Sequence, residues 1–161
     1  MKRIYCIIEK CLACRSCEIA CAVAHSGAEK PADAVKEHPL PMQRIRVESI
    51  DDRNSPRGIR SIALQCRHCE DPLCVQACIS GGISRHPETG VVIADPDKCV
   101  ACWSCIMVCP FGVIVRYEDC HRAVKCDHCA DRDGPACVEA CPTRALVFCE
   151  PQEAPVGVLV K

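Results

Sequence analysis

The sequence predicts an α+β fold of two small modules in tandem, with short strands and helices and an inserted β-hairpin. Three observations predict it. The chain sets 19 cysteines against one Trp, two Tyr and two Phe in 161 residues, so something other than aromatic packing must fill the interior. Sixteen of the cysteines fall into four groups of four, and the apolar segments between the groups are short. One cysteine-free stretch, 27–63, is rich in proline and charge and contains two runs that read as a hairpin.

Charge and length narrow the function classes. With 20 Lys+Arg against 21 Asp+Glu, nucleic acid is not an obvious partner. No apolar run approaches the roughly 18 to 20 residues that span a bilayer. The opening MKRIYCIIEK is too short and too charged for a secretory segment, and no twin-arginine pair precedes it. The expectation is therefore a cytoplasmic protein. Thiols stay reduced in that compartment, which favours metal binding over disulfides, and the odd total of 19 argues the same way.

The spacing of the groups specifies the metal chemistry. Cys11, Cys14, Cys17 and Cys21 are separated by two, two and three residues; Cys66, Cys69, Cys74 and Cys78 by two, four and three. Cys99, Cys102, Cys105 and Cys109 repeat the first spacing and precede Pro110, while Cys126, Cys129, Cys137 and Cys141 run two, seven and three before Pro142. A single C-x2-C would fit a zinc knuckle or a redox motif equally well. Structural zinc takes its ligands in two pairs, however, and has no role for a third cysteine two residues further on. A tight loop can instead give three sulfurs to one cubic iron-sulfur cluster, while the three-residue step turns the fourth sulfur toward another. Four groups then make two pairs, and the expected cofactor is four [4Fe-4S] clusters. The C-x4-C-x2-C order of plant-type 2Fe-2S proteins is absent.

The phrases KCLACRSCEIACAVAH, LQCRHCEDPLCVQAC, DKCVACWSCIMVCPFGVI and VKCDHCADRDGPACVEACPTRAL resemble the four-cluster ferredoxin-like electron-transfer subunits of molybdopterin oxidoreductases, hydrogenase complexes and carbon monoxide dehydrogenase. They are most similar to the iron-sulfur protein that serves carbon monoxide dehydrogenase. The resemblance covers nearly the whole chain and implies that group one pairs with group four and group two with group three. It implies cluster 1 on Cys11, Cys14, Cys17 and Cys141, and cluster 2 on Cys126, Cys129, Cys137 and Cys21. Cluster 3 would take Cys66, Cys69, Cys74 and Cys109, and cluster 4 Cys99, Cys102, Cys105 and Cys78. The modules become an outer one from 1–26 and 113–161 and an inner one from 64–112. Ala22 and Ile79 stand where Pro110 and Pro142 follow the other groups, so the chain is less constrained there. Relatives with a 3Fe-4S cluster put tryptophan in place of a ligand, whereas Trp103 lies beside Cys102 and replaces nothing.

Between the groups, residues 4–8, 90–95, 112–117 and 145–148 are short apolar or β-branched runs that read as strands, with PETG at 87–90 as a turn. Residues 18–26, 72–79 and 135–141 read as short helices. Residues 44–50 and 59–65 form the two arms of the hairpin, a surface insertion over cluster 1 or a docking surface for a partner. Neither module could fold by hydrophobic burial alone, so the clusters are expected to act as core.

The remaining candidates have plainer readings. His68 and His128, inside CRHC and CDHC, are expected as loop residues, since the adjacent cysteines already supply ligands. Trp103 is expected to pack over a cluster. Cys6, Cys120 and Cys149 read as small buried hydrophobes. Lys10, Arg15, Arg67, Lys98 and Lys125 are expected to offset cluster charge or face solvent. Ile106, Met107, Val108, Phe111 and Val113 are expected as apolar surroundings that oppose reduction. No phosphate-cradling glycine loop and no G-x-S-x-G elbow is present. The reading is a non-catalytic relay of single electrons between a catalytic enzyme, with carbon monoxide dehydrogenase implied first, and a hydrogenase or other reductase. A formate dehydrogenase, hydrogenase or molybdopterin complex is the alternative, and a zinc or regulatory metal-binding protein the remote one.

Overall fold

The computed structural model describes residues 1–155; the end of the expected outer module, 156–161, lies outside the described residues. Eight strands pair into four separate two-stranded sheets, all antiparallel. The first strand, β1 (Arg3–Cys6), pairs with the last, β8 (Leu146–Cys149), in the register Ile4 opposite Phe148 and Cys6 opposite Leu146. This closes the chain on itself and brings group one beside group four. The hairpin of β2 (Ile45–Asp51) and β3 (Ile59–Gln65) is the longest sheet, and its alternation puts Ile45, Val47 and Ala63 inward.

The strands β4 (Ile83–Arg85) and β5 (Val92–Ala94) flank the PETG turn. The pair β6 (Val115–Tyr117) and β7 (Arg122–Val124) follows group three. Three strand expectations change, the first being the 4–8 run, which is strand only to Cys6 because Ile8–Lys10 turns as a short 3-10 helix. The 112–117 run is strand only from Val115, because Gly112 sits at φ +57° and Val113 and Ile114 are buried on different cores. Strand β7 has no counterpart among the expected strands; it is three residues long and gains its order from pairing with β6.

Four of the five α-helices among the described residues are short and carry ligand candidates. Helix α1 (Ser16–Ala24) holds Cys17 and Cys21 one turn apart on its buried face. Helix α2 (Pro31–Ala34) opens the inserted stretch, with proline in its first turn. Helices α3 (Leu73–Gln76), α4 (Ser104–Val108) and α5 (Ala136–Glu139) are single turns. The expected helices over 72–79 and 135–141 therefore stop before Cys78 and Cys141, which stand in loops. Met107, expected near a cluster, is instead 84% exposed.

Two buried clusters organise these elements. The larger joins β1, β2, β3, α1, α5 and β8, and seven of its 14 buried members are cysteines. The smaller joins Ile83, Val92, Cys105, Ile114 and Ala123. Among the described residues no helix is long and apolar enough to cross a membrane.

Candidate metal centres

The loops between the cysteines depart from ordinary backbone. Nine non-glycine residues have positive φ, and seven of them lie in or at the end of the two-residue loops: Ala13, Arg15, His68, Ala101, Trp103, His128 and Cys129. Each such residue costs roughly 1–2 kcal/mol. The reward is geometric, since the left-handed step folds the loop so that its flanking sulfurs converge.

Two pockets show that convergence directly, and electrostatic neighbours mark two further groupings. Cys78, Cys99, Cys102 and Cys105 line one pocket together with Trp103 and Ala123. Cys11, Cys14, Cys17 and Cys141 line another, walled by Val47, Ala63 and Leu146, with Cys6 at its edge. Cys74 lies in the field of Cys66, Cys109 and Cys69. Cys137 lies in that of Cys126, Cys21 and Cys129, with Cys17 beyond them. The leftover cysteines divide: Cys6 is buried, whereas Cys120 and Cys149 are only half-buried, contrary to the expectation for those two.

Hydrogen-bond donors point at the sulfurs. Backbone N–H groups of Arg44, Ala145, Ile83, His68 and Ala123 donate to the Sγ atoms of Cys21, Cys141, Cys78, Cys66 and Cys99, at 3.1, 3.2, 3.3, 3.4 and 3.4 Å. A hydroxyl two residues on also stands beside the sulfur at Cys14–Ser16, Cys78–Ser80 and Cys141–Thr143, and Ser104 bonds to Cys102 in the same way. Sequence reasoning missed these four hydroxyls, whose signal is a recurring C-x-[ST] in CRSC, CWSC, CISG and CPTR.

The thiols titrate accordingly. Burial pushes Cys17 up to about 12 and Cys105 to about 11, and it raises Cys137 further. At Cys78 and Cys141 burial acts the same way but is outweighed by backbone N–H and hydroxyl donors, so both are lowered. Cys102 is lowered chiefly by the Ser104 N–H. Four convergent sulfurs, apolar walls and N–H donors together fit a cluster ligated by thiolates, because the donors stabilise negative sulfur.

Around Cys21 the inserted hairpin contributes directly. Arg44 donates its backbone N–H to Cys21 and ion-pairs through its guanidinium with Asp127, which also accepts from His25 Nε2 at 3.1 Å and from the Cys129 N–H at 3.0 Å. His25 Nδ1 lies 2.7 Å from the Cys21 carbonyl. Burial opposes a charged ring, yet the bonds to Asp127 and Cys21 hold His25 up at about 9. Burial likewise opposes the Asp127 anion, but His25 and Arg44 hold it well below the usual carboxylate range. Asp127→Ala is expected to cost about 2 kcal/mol, read as a lower denaturation midpoint and faster iron loss; an unchanged midpoint would show the network to be idle.

The hairpin also covers group one. Arg57 donates to the Cys11 carbonyl at 2.7 Å, and the Val47 N–H donates to Glu18 at 2.6 Å. Trp103 packs in the pocket of Cys99 and Cys102, as expected, with the Arg116 guanidinium 4.4 Å above its ring. Lys10, Arg15 and Lys98 are exposed and Arg67 is half-buried over Phe111, but Lys125 is 2% exposed. His68 and His128 are also buried, which a plain loop reading does not foresee.

Comparison with known proteins places this geometry. Residues 59–151 match the family described as 4Fe-4S dicluster domain. An iron-sulfur protein of Rhodospirillum rubrum is 42% identical over 160 residues, covering 89% of this chain and 79% of the relative. Electron transport protein HydN of Escherichia coli K12 is 38% identical over 154 residues, covering 86% and 82%. One chain of the anaerobic dimethyl sulfoxide reductase of the same organism is 35% identical over 150 residues, covering 86% and 68%.

Proposed function

The protein is a member of the 4Fe-4S dicluster domain family, and from that premise we propose that it is a non-catalytic electron-transfer subunit that binds four [4Fe-4S] clusters in the cytoplasm. The sets proposed are Cys11, Cys14, Cys17 and Cys141; Cys126, Cys129, Cys137 and Cys21; Cys66, Cys69, Cys74 and Cys109; and Cys99, Cys102, Cys105 and Cys78. The single observation that carries the reading is the meeting of sulfurs from different groups in two pockets, Cys78 with Cys99, Cys102 and Cys105, and Cys141 with Cys11, Cys14 and Cys17. When bound, the clusters supply one-electron storage and relay.

The chain's own residues do the rest. The backbone donors and hydroxyls stabilise thiolate, Val47, Ala63 and Leu146 give the first set an apolar wall, and β1 paired with β8 locks groups one and four together. Cys14 and Cys102 are exposed at opposite groups, which supports entry and exit of electrons at the first and fourth sets. The outer module of 1–26 with 113–161, the inner one of 64–112 and the insertion of 27–63 remain the proposed division.

The catalytic partner proposed first is a carbon monoxide dehydrogenase, with a hydrogenase or another reductase as acceptor, on the likeness of the four cysteine phrases. A reductase complex of the molybdopterin kind, or one built on formate dehydrogenase or hydrogenase, is the second reading, favoured by the 35% identity to a dimethyl sulfoxide reductase chain. Anaerobically purified protein is expected to hold about 16 iron and 16 acid-labile sulfide per chain and to give cube-type paramagnetic signals after dithionite. Stopped-flow reduction by carbon monoxide dehydrogenase with carbon monoxide, set against formate dehydrogenase with formate, separates the partners. A colourless, zinc-loaded chain would overturn the reading.

A further inference from the structure

Lys125 is the largest fully buried side chain, at 2% exposure, and among the described residues it has no carboxylate partner. Its Nζ donates to two backbone carbonyls, those of Val92 and Cys126, the second at 2.8 Å. A buried ammonium satisfied only by neutral carbonyls is expensive, so a negative charge must lie close by. The nearest carboxylate in sequence, Asp127, is committed to Arg44 and His25.

The surroundings indicate what that charge is. Lys125 immediately precedes Cys126, a member of the second sulfur set. Its other acceptor, Val92, donates its own N–H to His68 Nδ1 at 3.0 Å, and His68 sits between Cys66 and Cys69 of the third set. The rings of His68 and His128 lie 3.9 Å apart, and the Sγ of Cys126 is within 4.8 Å of ligand nitrogens of both. The CRHC and CDHC loops therefore meet here, beside the fully buried ammonium of Lys125.

We propose that Lys125 is the buried countercharge shared by the second and third sulfur sets, and that it raises the reduction potentials of the two clusters bound there above those their cysteines alone would set. This rests on the four-cluster reading. Adding an electron to either cluster places negative charge beside a fixed ammonium that water does not screen, so reduction is favoured at the centre of the relay relative to its ends. Lys125 acts through its charge and touches no substrate; it is a positioning residue for charge.

The test is a redox titration of the holo-protein followed by paramagnetic resonance, comparing the wild type with Lys125→Gln and Lys125→Arg. In K125Q, two of the four one-electron steps are expected to become at least tenfold less favourable, a fall of about 59 mV or more each, while the other two hold; K125R should keep all four near their original values. Lys125→Met provides a second neutral variant should K125Q load poorly. If both neutral variants lose the middle clusters while K125R retains about 16 iron, the charge is needed already for assembly and the proposal stands. Four unshifted potentials in K125Q, or equal iron loss in all three variants, overturns it. Absence of iron from the wild type would instead defeat the four-cluster reading itself.

Discussion

Removing iron by anaerobic chelation is expected to abolish most of the far-UV circular dichroism of this chain and to make it sensitive to protease throughout. The ordinary sources of stability are thin. Among the described residues every sheet has two strands, which alone are marginal in water, and the longest helix has nine residues, below the length that stands without packing. Half the members of the larger core are cysteines, small side chains whose mutual packing leaves room intended for inorganic atoms. Against this stand seven left-handed non-glycine residues in the cysteine loops, each costing about 1–2 kcal/mol, when an ordinary domain's total stability is about 5–15 kcal/mol. Lys125 would also lose its only counter-anions. Ligation free energy must therefore serve as folding free energy, as in other metal-coupled domains. A cluster-free chain with a native-like spectrum and a cooperative thermal transition would refute this.

Much of the architecture is legible in the sequence because its signals are local. The alternation in 44–50 and 59–65 defines the hairpin within a residue of β2 and β3, and the PETG turn lies between β4 and β5. The family is legible in cysteine spacing, which the tight-loop geometry of a cube dictates. What escapes is set by contacts between distant residues. Strand β7 is three residues of weak propensity, ordered by β6 and by the Ala123 N–H that reaches Cys99. Helices over 72–79 and 135–141 read too long, because apolar periodicity continues through Cys78 and Cys141, whereas their N–H groups close tight turns on the carbonyls of Val75 and Val138 and their sulfurs accept from the later N–H groups of Ile83 and Ala145. Lys125 and the two histidines look in sequence like solvated loop residues; only the meeting of 66–69 with 126–129 removes them from water. Met107 errs in the other direction, an apolar residue on the outward face of a one-turn helix.

Cys137→Ser and Cys102→Ser are expected to differ sharply although each deletes one proposed ligand. Cys137 is 4% exposed and sits in the larger core, surrounded by the sulfurs of Cys126, Cys21 and Cys129, with Cys17 just beyond. Losing it leaves the second set with three thiolates in a closed site where serine is a poor and buried substitute. The damage spreads through α1, since Cys21 of the second set and Cys17 of the first are one turn apart on the same buried face. The first set then loses the neighbour that shares α1 with it. Cys102 is exposed at the rim of its pocket, with Ser104 and solvent to satisfy a replacement oxygen. Iron analysis should therefore find about 8 of 16 iron gone in C137S, and at most about 4 in C102S, with end-to-end electron transfer abolished in the first and only the terminal step impaired in the second. The same contrast should appear in stability, because a ligand inside the core holds α1 and α5 together while one at the rim holds a single loop. Equal iron contents in the two variants would mean that burial does not rank the sites, and the proposed sharing of sulfurs between groups one and four would fall with it.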